Sequence, residues 1–151
     1  MINDGEDRRL QSWKFAPWIG KKCTDIARYE YSWQFSFPPA GSVTVESIWR
    51  LLDETNVVLC SLDDGQRFGL PAAVDVAQKA WDHIFNKTVR EVSLSPVGDL
   101  RISFENDFVL EALINSSGYE SWNAAIIDRG QNTNIIATGG GNLAIVEQPF
   151  S

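Results

Sequence analysis

Between Pro71 and Asn86 the apolar residues Val74, Ala77, Trp81 and Ile84, with Phe85, recur at helical spacing, while Asp75, Gln78, Lys79 and Asp82 take the opposite side. Pro71 suits a first helical position, where its missing N–H would have no partner. The pattern predicts one amphipathic helix over about 71–86, supported by the acid-before-base pair Asp75 and Lys79 and burying Val74, Ala77 and Trp81 against a sheet. Elsewhere the period is two. Tyr31, Trp33, Phe35 and Phe37 alternate with Ser32, Gln34 and Ser36, which predicts a strand with one aromatic face. Pro38-Pro39-Ala40-Gly41 ends it. A second strand is expected from Val43 to about Leu52 and a third from Val57 to Leu62. Asp63-Asp64-Gly65-Gln66 then reads as a hairpin turn, since Asp-Gly tolerates positive φ.

After the helix the pattern restarts. Cys23 and Ile26 line up with Val89 and Val92; Trp33, Phe35 and Phe37 with Leu100, Ile102 and Phe104; Val43, Val45 and Glu46 with Phe108, Leu110 and Glu111. Asp63-Asp64-Gly65-Gln66 matches Asp128-Arg129-Gly130-Gln131 at an offset of 128 − 63 = 65. A nearly constant offset predicts a duplicated unit, about 19–69 and 85–131. The second unit adds a Ser116-Ser117-Gly118 turn, a strand from Tyr119 to Asp128, and two closing strands around Gly139-Gly140-Gly141. The expected fold is α+β: two repeated antiparallel β-meander units packed with one central helix. Residues 1–12 read as a polar, mobile arm and 13–151 as a single domain. Trp13, Phe15, Trp18 and Ile19 would cover an edge or end of its core.

Charge changes the picture of partners. The 151 residues carry a formal charge of −7, with bases scattered as Arg8-Arg9, Lys21-Lys22 and singles. A nucleic-acid surface needs them clustered, so nucleic acid is not expected as a partner. An acidic surface suits a basic protein, or serves solubility alone. No apolar run approaches the ~20 residues of a membrane span. The first ten residues lack the apolar core of a signal peptide, and Cys23 and Cys60 read as free thiols, so the expected location is the cytoplasm.

Candidate chemistry is sparse. His83 is the single histidine, at the helix end, where dipole or packing contacts explain it. No Gly-x-Ser-x-Gly elbow and no metal-ligand spacing occurs, and Gly139-Gly140-Gly141 lacks the lysine of a phosphate loop. No enzyme activity, cofactor or metal is expected. Glu46 and Glu111 hold matching places in the repeat, so a carboxylate pair across a cleft is the hydrolytic alternative. The cluster Glu46, Trp49, Arg50, Ser117, Tyr119, Glu120 and Trp122 reads as an interface or pocket rim, because Trp, Tyr and Arg dominate binding hot spots. Alternation puts Glu120 on the face of Trp122. It must leave the core at the strand's end or pair there, and Arg50 is the expected partner.

The runs Glu46-Ser47-Ile48-Trp49-Arg50-Leu51, Asp63 to Gly69, Asp99 to Phe104 and Ser116 to Trp122 resemble an uncharacterised family of small bacterial proteins with toxin-immunity-like neighbourhoods. The likeness covers most of residues 20–146. It implies a bacterial cytoplasmic origin and a protein-binding role, and carries no catalytic residues. The expected function is a non-enzymatic binding protein, such as an immunity protein that occludes a toxin. The alternatives are a small-molecule-binding or hydrolytic domain using the cleft between the β units, and a homodimer formed by exposed strand edges.

Overall fold

Short alternating runs closed by turn residues give eleven strands among the described residues, all paired antiparallel. The computed structural model describes residues 8–149. In chain order the strands are β1 (Asp25–Arg28), β2 (Trp33–Ser36), β3 (Gly41–Val45), β4 (Trp49–Leu52), β5 (Val57–Cys60), β6 (Val89–Leu94), β7 (Leu100–Phe104), β8 (Val109–Ala112), β9 (Trp122–Asp128), β10 (Gln131–Gly139) and β11 (Asn142–Pro149). One sheet has the order β1-β2-β3-β9-β10-β11 and the other β5-β4-β8-β7-β6. With the helix α1 (Val76–Ile84), the class is α+β, mostly antiparallel sheet.

Advancing β1, β2 and β3 by five and setting β9 and β10 back by five turns β1-β2-β3-β9-β10 into β6-β7-β8-β4-β5, the order of the second sheet. The registers follow suit. Val45 stands between Trp33 and Trp122, as Ala112 stands between Leu100 and Trp49. By that register Glu111 corresponds to Thr44 rather than to Glu46, two residues from the sequence alignment.

The sheets meet through their alternating apolar faces. Trp33, Phe35, Val45, Trp49, Leu51, Ile102, Ala124 and Ile135 are among the buried residues of one continuous core. Trp49 stands edge-on to Trp33 and to Phe35, each with centroids 5.1 Å apart, an orientation that aromatic quadrupoles favour. The expected strand Val43–Leu52 is broken. Val45 and Trp49 are both fully buried yet belong to different sheets, so the chain crosses between sheets over Glu46, Ser47 and Ile48. It crosses back between β8 and β9.

Three other expectations shift. The helix begins at Val76, not near Pro71, because two carboxylates satisfy its first N–H groups. Asp75 accepts from Gln78 N–H (3.1 Å) and Asp64 from Val76 N–H (3.0 Å). Its buried residues are Val76, Ala80 and Ile84, while Val74, Ala77 and Trp81 are only partly buried at the flank, Trp81 stacked on Phe85 at 3.9 Å. The helix packs against β1 and β5, an edge strand of each sheet. Asp63-Asp64-Gly65-Gln66 is not a hairpin turn. Ser61–Asp63 form a 3-10 turn after β5, and the chain leaves the sheet there.

Of the arm expected over 1–12, residues 8–12 belong to a 3-10 segment, Arg8–Trp18, and residues 1–7 lie outside the described residues. Phe15 and Trp18 are buried beneath it, whereas Trp13 and Ile19 are exposed. Leu94 N–H donates to the Ser12 hydroxyl and Trp18 Nε1–H to the Ala40 carbonyl, which fix the segment over the core.

Candidate functional site

Four chain segments meet at one end of the six-stranded sheet. Arg28 opposes Trp33, Trp33 opposes Val45 and Val45 opposes Trp122, so the β1–β2 turn, the β3–β4 crossing and the loop before β9 lie side by side. The Ser121 carbonyl holds them in place. It accepts from Glu46 N–H (2.9 Å), Ser47 N–H (3.1 Å) and the Ser47 hydroxyl (3.1 Å), while Ser121 N–H donates to Ala137. The loop is folded on the Ser116 hydroxyl, which accepts from Gly118 and Tyr119 N–H. Gly140 N–H donates to the Ser116 carbonyl, and a Cβ at Gly139 would lie 2.9 Å from Gly118, so loop and β10–β11 turn fit only without side chains.

All three tyrosines of the chain lie at this end, and all are exposed: Tyr29 at 53%, Tyr31 at 81% and Tyr119 at 81%. Glu30, Glu46 and Glu120 are exposed beside them. Among the described residues no ion pair engages those three glutamates. Arg28, the cation at this end, donates to Asp64 and lies 4.9 Å over the Trp33 ring. A groove of about 270 Å³ runs between the β1–β2 turn and the β3–β4 crossing, lined by Tyr29, Glu30, Tyr31, Glu46, Leu62 and Asn115 among others. An acidic groove bordered by tyrosine rings can hold a cationic side chain through charge and through the ring faces.

The residues singled out in the sequence divide accordingly. Glu46, Ser117, Tyr119 and Glu120 come to this end and are exposed. Trp49 and Trp122 do not; they are 0% and 1% exposed and belong to the core. Arg50 is on the outer face of the other sheet, where its Nε donates to Glu111 (2.7 Å), with Arg101 Nε 3.2 Å from the second oxygen of that carboxylate. The expected Arg50–Glu120 pair is therefore replaced by an Arg50–Glu111–Arg101 triad, and Glu120 takes the other course open to it, leaving the core because β9 begins only at Trp122.

Tyr29, Glu30, Tyr31 and Leu62 were missed. Alternation placed Tyr31 on the aromatic core face, but β2 starts at Trp33, and a Tyr-Glu-Tyr-Ser run between two four-residue strands is the turn signal that could have found it.

The carboxylate pair considered for hydrolysis is not brought together. Glu111 is held by two arginines rather than facing Glu46, and the space between the sheets is filled by Trp18, Trp49, Trp122 and Phe35. His83 packs on the Phe108 ring at 4.7 Å. Among the described residues no group of three or more His, Cys, Asp or Glu is placed to hold a metal ion.

Both cysteines are free, Cys23 buried and Cys60 half-buried. Burial pushes the Cys23 thiol up to about 12, so it stays protonated and unreactive at neutral pH. A thiol reagent at mildly alkaline pH therefore modifies Cys60 first, and Cys60→Ser removes the fast phase. A fast phase that survives in Cys60→Ser would show Cys23 to be accessible.

No protein-family model matches the chain, and no curated protein and no solved structure matches it either. Among the described residues no helix is long and apolar enough to cross a membrane.

Proposed function

We propose that the chain is a non-enzymatic binding protein whose acidic, tyrosine-bearing end takes a basic protein partner. The observation that carries this reading is the gathering of all three exposed tyrosines with Glu30, Glu46 and Glu120 at one end of the six-stranded sheet, where Tyr29, Glu30, Tyr31 and Glu46 line a groove. Exposed tyrosine supplies large contact area at small entropic cost, and unpaired carboxylates steer a cationic surface into register. A toxin with a basic active site, occluded in the manner of an immunity protein, is a partner of the right chemistry. Carboxylates would occupy positions that a nuclease reserves for phosphate.

The internal repeat belongs to the same proposal. We read the chain as two β-meander units, each sending its last two strands into the other's sheet, with the helix as the link. The matching strand orders and the equivalent settings of Trp49 and Trp122 support descent from one duplicated unit. The two free thiols support a reducing compartment such as the cytoplasm.

Affinity capture from a bacterial lysate tests the binding reading. The wild-type chain retains a basic protein that raised salt releases. The variant Glu30→Gln/Glu46→Gln/Glu120→Gln, unchanged in its thermal melt, retains at least ~10-fold less, as expected for three lost charge contacts. Equal capture of the same protein by this variant, or by Tyr31→Ala/Tyr119→Ala, overturns the assignment of this end.

A further inference from the structure

The outer face of the six-stranded sheet is nearly free of charge in this acidic chain. Its strands alternate, with Ile26, Phe35, Val43, Ala124, Ile135 and Leu143 turned inward. The outward positions fall in cross-strand rows. One runs Ala27, Gln34, Thr44, Asn123, Ile136, Ala144, and the next runs Asp25, Ser36, Ser42, Ala125, Asn134, Val146. Asp25, on the edge strand, is the single ionisable side chain in these rows. The stretch from Gln131 to Val146 contains no charged residue in a chain that is 22% charged. The opposite sheet shows what an ordinary outer face looks like here: Arg50, Glu111, Arg101 and Glu91 stand on it.

We infer that this face is where a second copy of the chain docks, sheet against sheet. Charge selects the occupant. Two copies each carrying −7 repel wherever their acidic surfaces meet, and a partner of opposite charge gains nothing from an uncharged face. An identical neutral face is approached without desolvating any ion. Shape agrees, since Ser, Ala, Thr and Asn side chains let two sheets close to about 10 Å, the usual spacing of stacked sheets.

Area agrees as well. The two rows across six strands at about 4.8 Å spacing, with a third row of Ile127, Asn132 and Gln148 on β9–β11, give about 500 Å² per copy, near 1,000 Å² in all, the lower bound of a specific interface. Ile136 and Asn123, on the inner strands β10 and β9, stand at its centre. Tyr29 reaches the margin of this face, its hydroxyl donating to Gln34 (3.3 Å), while Tyr31, Tyr119 and the three glutamates lie beyond the strand ends, so a dimer presents that acidic end twice.

Sedimentation equilibrium on the full chain tests this directly. A mass of 2 × 16.9 = 33.8 kDa is expected at ~100 μM. Asn123→Asp and Ile136→Lys, which place a charge at the centre in both copies, raise the dimer dissociation constant at least ~100-fold. Circular dichroism and the melting curve confirm that each variant is folded; Asn123→Asp is nearly isosteric and serves where Ile136→Lys is not. Val57→Lys, on the edge strand β5 of the other sheet, leaves the constant unchanged. A wild-type chain that stays monomeric at ~100 μM overturns the inference. So does a dimer that withstands both central charges, which would place the contact on strand edges instead.

Discussion

Gly41→Ala lowers the stability of the protein by about 3–5 kcal/mol, near the upper end of what single substitutions do. Gly41 opens β3 with φ +123°, a conformation L side chains rarely adopt. A Cβ there would overlap the Ala125 carbonyl oxygen, lie 2.8 Å from its carbon and 3.3 Å from the Trp18 Nε1 that donates to Ala40. The overlap is with backbone, so no rotamer change relieves it. β3 and β9 must separate along the contact that joins β1-β2-β3 to β9-β10-β11. Gly65→Ala is the matched control. Its φ is +80° but nothing lies within 4 Å of its Cβ position, so only the conformational strain of about 1 kcal/mol remains. Urea titration of both variants separates the two effects. Equal losses would mean that β3 moves away from β9 at small cost.

That contact also explains how far the sequence could be read. Period-two alternation marked most of the strands, since Trp33/Phe35, Leu100/Ile102 and Trp122/Ala124 are buried as alternation requires. It could not say which sheet a strand would join. Val43 to Leu52 reads as one apolar run, and its break at Glu46 depends on N–H groups finding the carbonyl of Ser121, 75 residues further on (121 − 46). Helix position failed for a local reason. Pro71 and Asp75 are both acceptable starts, and the decision fell to Asp64, which holds Val76 N–H from outside the helix. Three residues of the candidate site, Tyr29, Glu30 and Tyr31, were hidden because an aromatic beside a strand looks like strand until its register is known.

Tryptophan misled most, and its correction is testable. Trp49 and Trp122 read as hot-spot residues, yet both are core, in matching places of the two sheets. Their indoles differ in one respect. Trp122 Nε1 donates to the carbonyl of buried Gly98 (3.1 Å), whereas Trp49 Nε1 is buried with no hydrogen-bond partner. Either residue changed to alanine loses about 3–5 kcal/mol through burial and a cavity. Phenylalanine separates them. Trp49→Phe removes apolar area together with an unsatisfied donor, so the losses partly cancel and about 1 kcal/mol is expected. Trp122→Phe removes the same area and leaves the Gly98 carbonyl unpaired, which adds about 1–3 kcal/mol. The Trp122 variant is thus the weaker of the two in a denaturant titration, while under the proposed function both, once folded, capture the proposed basic partner as well as the wild type does. A Trp49→Phe variant that is the less stable would show that its indole N–H has a partner after all, and one that folds but loses capture would return Trp49 to the binding surface.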